Sequence, residues 1–128
     1  MKISLCTIPH TGTWFFSDLF TQHGFTVEAF HCTDSGLQLA EEAYNNGHQI
    51  ITAYRGVDLI KASWLYRKRE DDLSKYMENW YKLSCRYDPI VVTCDPRVNR
   101  YEVLAKAGEK LGVEFITDWK IVNPDGDE

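Results

Sequence analysis

The stretch that decides the fold is "KISLCTIPHTGTWFFSDLF", residues 2–20. Ile3, Leu5, Cys6 and Ile8 lie close together, which reads as a buried strand over 2–8. Pro9 ends that run, and His10, Thr11, Gly12 and Thr13 form a short turn. From residue 13 the spacing becomes helical, with Trp14, Phe15, Leu19 and Phe20 near one side and Gly24 as the stop. A loop passing from strand into helix leaves backbone N–H groups unpaired at the helix start, and the helix dipole adds positive potential there. Gly12 permits close approach of a ligand, and Thr11 and Thr13 bring hydroxyl groups. The turn reads equally as an anion cradle or as an ordinary capped helix start.

The same alternation continues downstream. "FTVEAFH" (25–31) reads as a strand and "SGLQLAEEAYNNG" (35–47) as a helix, with Ser35 and Gln38 at capping-box spacing and Gly47 as the stop. "HQIITAYR" (48–55) is a third strand, followed by a helical pattern over 57–68. "DDLSKYMENWYKLSCRY" (71–87) sets Leu73, Met77, Trp80 and Ser84 at helical spacing. "PIVVTCD" (89–95) is a fourth strand; Asp95 then reads as a helix cap, with Pro96 at the first helical position. That last helix carries Tyr101, Leu104, Gly108 and Leu111 on one face. The order predicts a three-layer α/β domain with a mainly parallel sheet of four to five strands. One domain spans 1–122, and 123–128 is a flexible acidic tail. In such sheets ligands bind beyond the carboxyl ends of the strands, so the turn at 9–13, His31 to Thr33, Arg55 and Asp95 should share one rim.

Composition narrows the function classes. The 128 residues are 44% hydrophobic, enough for a real core. A formal charge of −5 disfavours nonspecific nucleic-acid binding. No run has the length of a membrane span, and "MKISLCTIPH" is not a secretory signal. Cys6, Cys32, Cys85 and Cys94 are widely spaced and read as buried, reduced thiols of a cytoplasmic protein. His23 and His48 read as solvent-facing. "YRKREDD" (66–72) reads as a solvated helix junction. Neither GxxxxGK[ST] nor GxGxxG occurs, so magnesium-dependent ATP or GTP hydrolysis and a dinucleotide fingerprint are not indicated.

"PHTGTWF" (9–15) resembles the 5′-phosphosulfate-binding loop of sulfotransferases, roughly P-K-[ST]-G-T-T-W. "ITAYRGVDLIKASW" (51–64) resembles that family's 3′-phosphate segment, a strand ending in Arg with Ser eight residues later, here Arg55 and Ser63. In cytosolic members a Thr-His pair containing the catalytic histidine precedes that Arg by a little over twenty residues; His31 precedes Arg55 by 24. Residues 76–115 are similar to the family's later region, and "TDWK" (117–120) to a fragment of its C-terminal cofactor loop. The resemblance implies a P-loop NTPase-like, sulfotransferase-like fold. It implies 3′-phosphoadenosine 5′-phosphosulfate (PAPS) as donor, adenosine 3′,5′-bisphosphate (PAP) as its desulfated product, and transfer of the sulfuryl group to a hydroxyl or amine acceptor without a metal.

On that resemblance, Pro9, His10, Thr11, Gly12, Thr13, Trp14 and Phe15 hold the donor, and Arg55 and Ser63 anchor its 3′-phosphate. His10 serves the bridging oxygen, and His31 takes the acceptor's proton, its ordinary pKa of ~6.5 suiting neutral pH. Several features depart from the family pattern. His10 stands where the family has lysine. The loop is one threonine short, so Trp14 falls on the second threonine's place and Phe15 on the tryptophan's. The segment from the loop to His31 is short, and the C-terminal Arg-Lys-Gly is not evident. These departures also suit a catalytically inactive PAPS/PAP-binding module acting by sequestration or regulation, or an interaction protein keeping only the fold. The expected partner is the small nucleotide, with no nucleic acid and no membrane. The acceptor and the oligomeric state, a homodimer included, stay open.

Overall fold

The computed structural model describes residues 1–69 and 72–117. Strands β1 (Lys2–Thr7), β2 (Thr26–His31), β3 (Gln49–Tyr54) and β4 (Ile90–Thr93) alternate with helices α1 (Thr13–Gln22), α2 (Asp34–Asn45), α3 (Val57–Tyr66), α4 (Leu73–Tyr87) and α5 (Arg100–Leu111). Among the described residues the strands form one four-stranded sheet in the order β2-β1-β3-β4, with every neighbouring pair parallel. This is the expected α/β architecture, with its fourth strand at one edge.

Strand periodicity sends alternate residues to opposite faces. From β1, Ile3 and Leu5 join a core with Phe16, Leu19 and Phe20 of α1 and Leu104, Ala107 and Leu111 of α5. Cys6 and Ile8 join the opposite core, with Ala40, Ala43, Ile60, Trp64 and Leu83 from α2, α3 and α4. The sheet is thus covered on both sides, as parallel sheets require.

Four local readings are corrected. Helix α2 starts two residues earlier than the capping-box pattern places it: Thr33 is the cap, and its Oγ1 accepts from Gly36 N at 2.9 Å. Helix α5 starts at Arg100 behind Asn99, whose side chain accepts from Glu102 N, so Pro96 is not its first residue. Asp95 is drawn instead to Arg97 and Gly56. Tyr101 is exposed while Leu104, Gly108 and Leu111 are buried, so the expected four-residue face is apolar and covered only from Leu104 onward. Gly24 and Gly47 do stop their helices, at φ 89° and 79°. The tail at 123–128 and residues 118–120 of "TDWK" lie outside the described residues.

Cys6, Cys32 and Cys94 are buried free thiols, but Cys85 is exposed on the outer side of α4. His23 and His48 are half-buried rather than solvent-facing. The His23 ring meets Phe115 edge-on at 5.0 Å, and His48 Nδ1 lies 3.3 Å from Ser4 Oγ. Among the described residues no helix is long and apolar enough to cross a membrane.

Candidate functional site

Strand order fixes where a site can form. The chain steps from β1 outward to β2, then returns to place β3 on the other side of β1. Connections leave the carboxyl ends of β1 and β3 in opposite directions, which opens a crevice between them. The turn at 9–13 follows β1, and Arg55 follows β3, so both stand at this switch point.

The two segments meet. Arg55 Nη1 donates to the His10 carbonyl at 2.9 Å, and His10 Nδ1 lies 2.6 Å from Ser63 Oγ. Trp64 Nε1 donates to the Pro9 carbonyl at 3.0 Å. Pro9, His10, Thr11, Gly12, Thr13, Arg55 and Ser63 are all buried. Ser63 is on α3, where the eight-residue spacing from Arg55 turns it back toward the turn.

The interior of the turn is occupied by the protein itself. Thr11 Oγ1 donates to the Ile8 carbonyl at 2.7 Å, and Thr13 Oγ1 lies 2.7 Å from Thr7 Oγ1. His10, wholly buried, takes the left-handed backbone region at φ 70°, a conformation that a non-glycine residue holds only when its surroundings impose it. Gly12 caps α1 at φ 93°. A Cβ there would lie 3.2 Å from both Cys94 Sγ and a Phe16 ring carbon, so glycine is needed for conformation and for space. Helix α1 has neither a side-chain cap bond nor an acidic residue in its first turn. Its N-terminal potential is therefore not offset from within.

The flanking aromatic pair separates. Phe15 packs on the α1 core, edge-on to Phe16 at 5.1 Å, whereas Trp14 is 61% exposed and offers a free ring face beside the turn. His31 ends β2 opposite Thr7, half-buried, one strand further out than the crevice. A run of ring contacts links it back: His31 to Tyr76 at 6.5 Å, Tyr76 to Trp64 at 5.6 Å, and Trp64 to His10 at 6.2 Å. The two histidines stand on one wall with two aromatic rings between them.

A charged clasp on the rim is not evident from sequence. Asp95 is buried at the end of β4, and its Oδ2 accepts from Gly56 N at 2.9 Å, directly after Arg55. Arg97 bonds Asp95 at 3.2 and 3.1 Å and grips Asp58 of α3 through two bonds of 2.7 and 2.8 Å. These bonds, with the Arg97 and Gly56 amides, hold the Asp95 carboxyl down at about 2. Arg97 holds the Asp58 carboxyl below its ordinary value too. A Cβ on Gly56 would collide with Arg97, so Gly56 makes the clasp possible. The one sequence signal was an Asp two residues before an Arg, which a helix cap imitates.

Comparison with protein-family models, with curated proteins and with solved structures finds no match to this chain.

Proposed function

We propose that the chain is a compact, sulfotransferase-like, cytoplasmic protein of P-loop-like fold that binds PAPS at the β1/β3 switch point and transfers its sulfuryl group to a hydroxyl or amine acceptor. The carrying observation is the convergence of two segments about fifty residues apart: Arg55 on the turn's backbone and Ser63 on His10. The uncapped start of α1 adds positive potential at the place where an anion would sit. Arg55 and Ser63 would take the 3′-phosphate, the amides at the start of α1 the phosphosulfate, and the exposed Trp14 the adenine face. His31 would accept the acceptor's proton.

A second reading, nucleotide binding without turnover, is favoured by one observation. His10 and Ser63 are buried against each other, so their 2.6 Å contact must open before either reaches a donor. His31 also stands two rings away from His10.

Calorimetry with PAP tests what both readings share. We expect saturable binding to the native chain and at least tenfold weaker binding to Arg55→Ala; no binding to a folded native chain refutes both. Labelled PAPS with an acceptor panel then separates them. In the enzyme reading His31→Ala abolishes transfer and retains PAP binding, whereas a native chain that binds but never transfers is the silent module.

A further inference from the structure

A cavity of about 220 Å³ opens on the α3/α4 side of the same rim and shares Thr11 and Arg55 with the proposed nucleotide site. Its walls come from Ile8, the end of β3, α3 and α4, and, the Tyr54 and Tyr81 hydroxyls apart, its polar side chains are Thr11 and Arg55. Both donate to main-chain carbonyls of the first turn, Thr11 to Ile8 and Arg55 to His10. The remaining lining is aliphatic, thioether or aromatic.

One wall is held rigid. Trp80 Nε1 donates to Thr52 Oγ1 at 2.8 Å, and Thr52 Oγ1 donates to the Cys6 carbonyl at 2.7 Å. This relay runs from α4 through β3 to β1 and fixes the plane of the indole. Met77 stands beside it on α4, and its flexible thioether adapts to an aromatic edge. Tyr54, Val57 and Tyr81 at the lining remain 42%, 39% and 67% exposed. Large apolar side chains gathered in this way around one opening mark a surface that gains by being covered.

The geometry points to a binding site for a flat, uncharged aromatic molecule of one or two rings. Size sets the upper limit: an apolar cavity of about 150 Å³ accepts benzene, so this one has room for a substituted ring or a fused pair. The fixed indole plane selects a flat shape. Arg55 at the inner end disfavours a cation, and walls with so few polar groups disfavour a ligand carrying several. The shared chemistry admits two sources, a free aromatic molecule or the base of a nucleotide, and the inference does not require PAPS to be bound.

Indole is the probe, titrated into the full chain and followed by heteronuclear NMR. The chain has two methionines, Met1 and Met77, so the Met77 methyl signal is readily assigned. Saturable shifts of the Met77 methyl and the Trp80 indole N–H are expected, with Met1 unmoved. Met77→Trp, which fills the cavity, should weaken binding at least tenfold while thermal unfolding stays cooperative. Thr52→Val, which releases Trp80, should weaken it severalfold. Adenosine competing with indole assigns the ring to a nucleotide base; PAP and indole binding together assign it to a separate molecule. Absence of shifts in the native chain at millimolar indole, or shifts at sites away from Met77 and Trp80, overturns the inference. Failure of PAP to bind leaves it standing.

Discussion

Asp95 shows how one buried carboxylate can organise a rim. It takes hydrogen bonds from the Gly56 and Arg97 amides and from the Arg97 guanidinium, which hold its carboxyl at about 2, against about 3.9 for a free aspartate. A folded value below the unfolded one stabilises the native state fully above the unfolded pKa. That contribution is lost as pH falls from about 4 through about 2. Asp58, lowered by the same arginine, titrates in the same direction. Urea midpoints measured across this window should therefore fall in the native chain. The slope should be shallower in Asp95→Asn, and Arg97→Met should flatten it similarly; an unchanged slope in both variants would mean that the clasp does not form in solution. Because Gly56 N is one of the donors, the clasp also fixes the backbone next to Arg55, and so bears on the switch point.

Where helices begin is decided by single hydroxyls and amides, and here sequence patterns mislead in a definable way. Ser35 and Gln38 have capping-box spacing, yet Thr33 two residues earlier caps α2, because β2 ends at His31 and the chain must turn at once. The close approach of Gly36 to the His31 carbonyl, where a Cβ would sit at 1.9 Å, fixes that tight turn. Thr33→Ala should cost about 1 kcal/mol in a denaturant titration. Ser35→Ala should change stability by only a few tenths of that; equal losses would restore the original reading. The same confusion put the start of α5 at Asp95–Pro96 in place of Asn99, since an Asp-Pro pair after a strand suits either a cap or a rim turn. By contrast the strands were legible: β1, β3 and β4 are apolar runs cut by Pro, Gly or polar residues, and little else competes for that pattern. Of the candidate site, the meeting of Arg55 with the turn followed from both ending neighbouring strands. The filling of the turn by His10 did not, because it depends on a left-handed histidine that the sequence does not announce.

Two cores on opposite faces of one sheet make the whole chain testable as a single cooperative unit, and its cysteines are placed to do it. Cys94 lies in the core under α1 and α5, whereas Cys6 and Cys32 lie in the core under α2, α3 and α4. All three are buried, and Cys85 alone of the four is exposed. Reaction with an alkylating or disulfide reagent requires the thiolate. Cys6 is pushed far above the ordinary thiol range by its hydrogen bond with Cys32 and by burial, and burial also pushes Cys94 up, with Arg55 pulling the other way. Reaction at the three buried sites therefore awaits opening of the structure. One thiol per chain, Cys85, should label rapidly in native buffer. In Cys85→Ser, labelling should be slow and should rise with urea along the global unfolding curve. Mass-spectrometric mapping then compares the two faces. If β1 and β3 tie both cores into one unit, Cys94 and the Cys6/Cys32 pair should become reactive at the same urea concentration. Earlier labelling of Cys94 would show that α1 and α5 leave the sheet first, taking the start of α1 and the proposed anion site with them. The proposed nucleotide should then shift Cys94 protection more than that of Cys6.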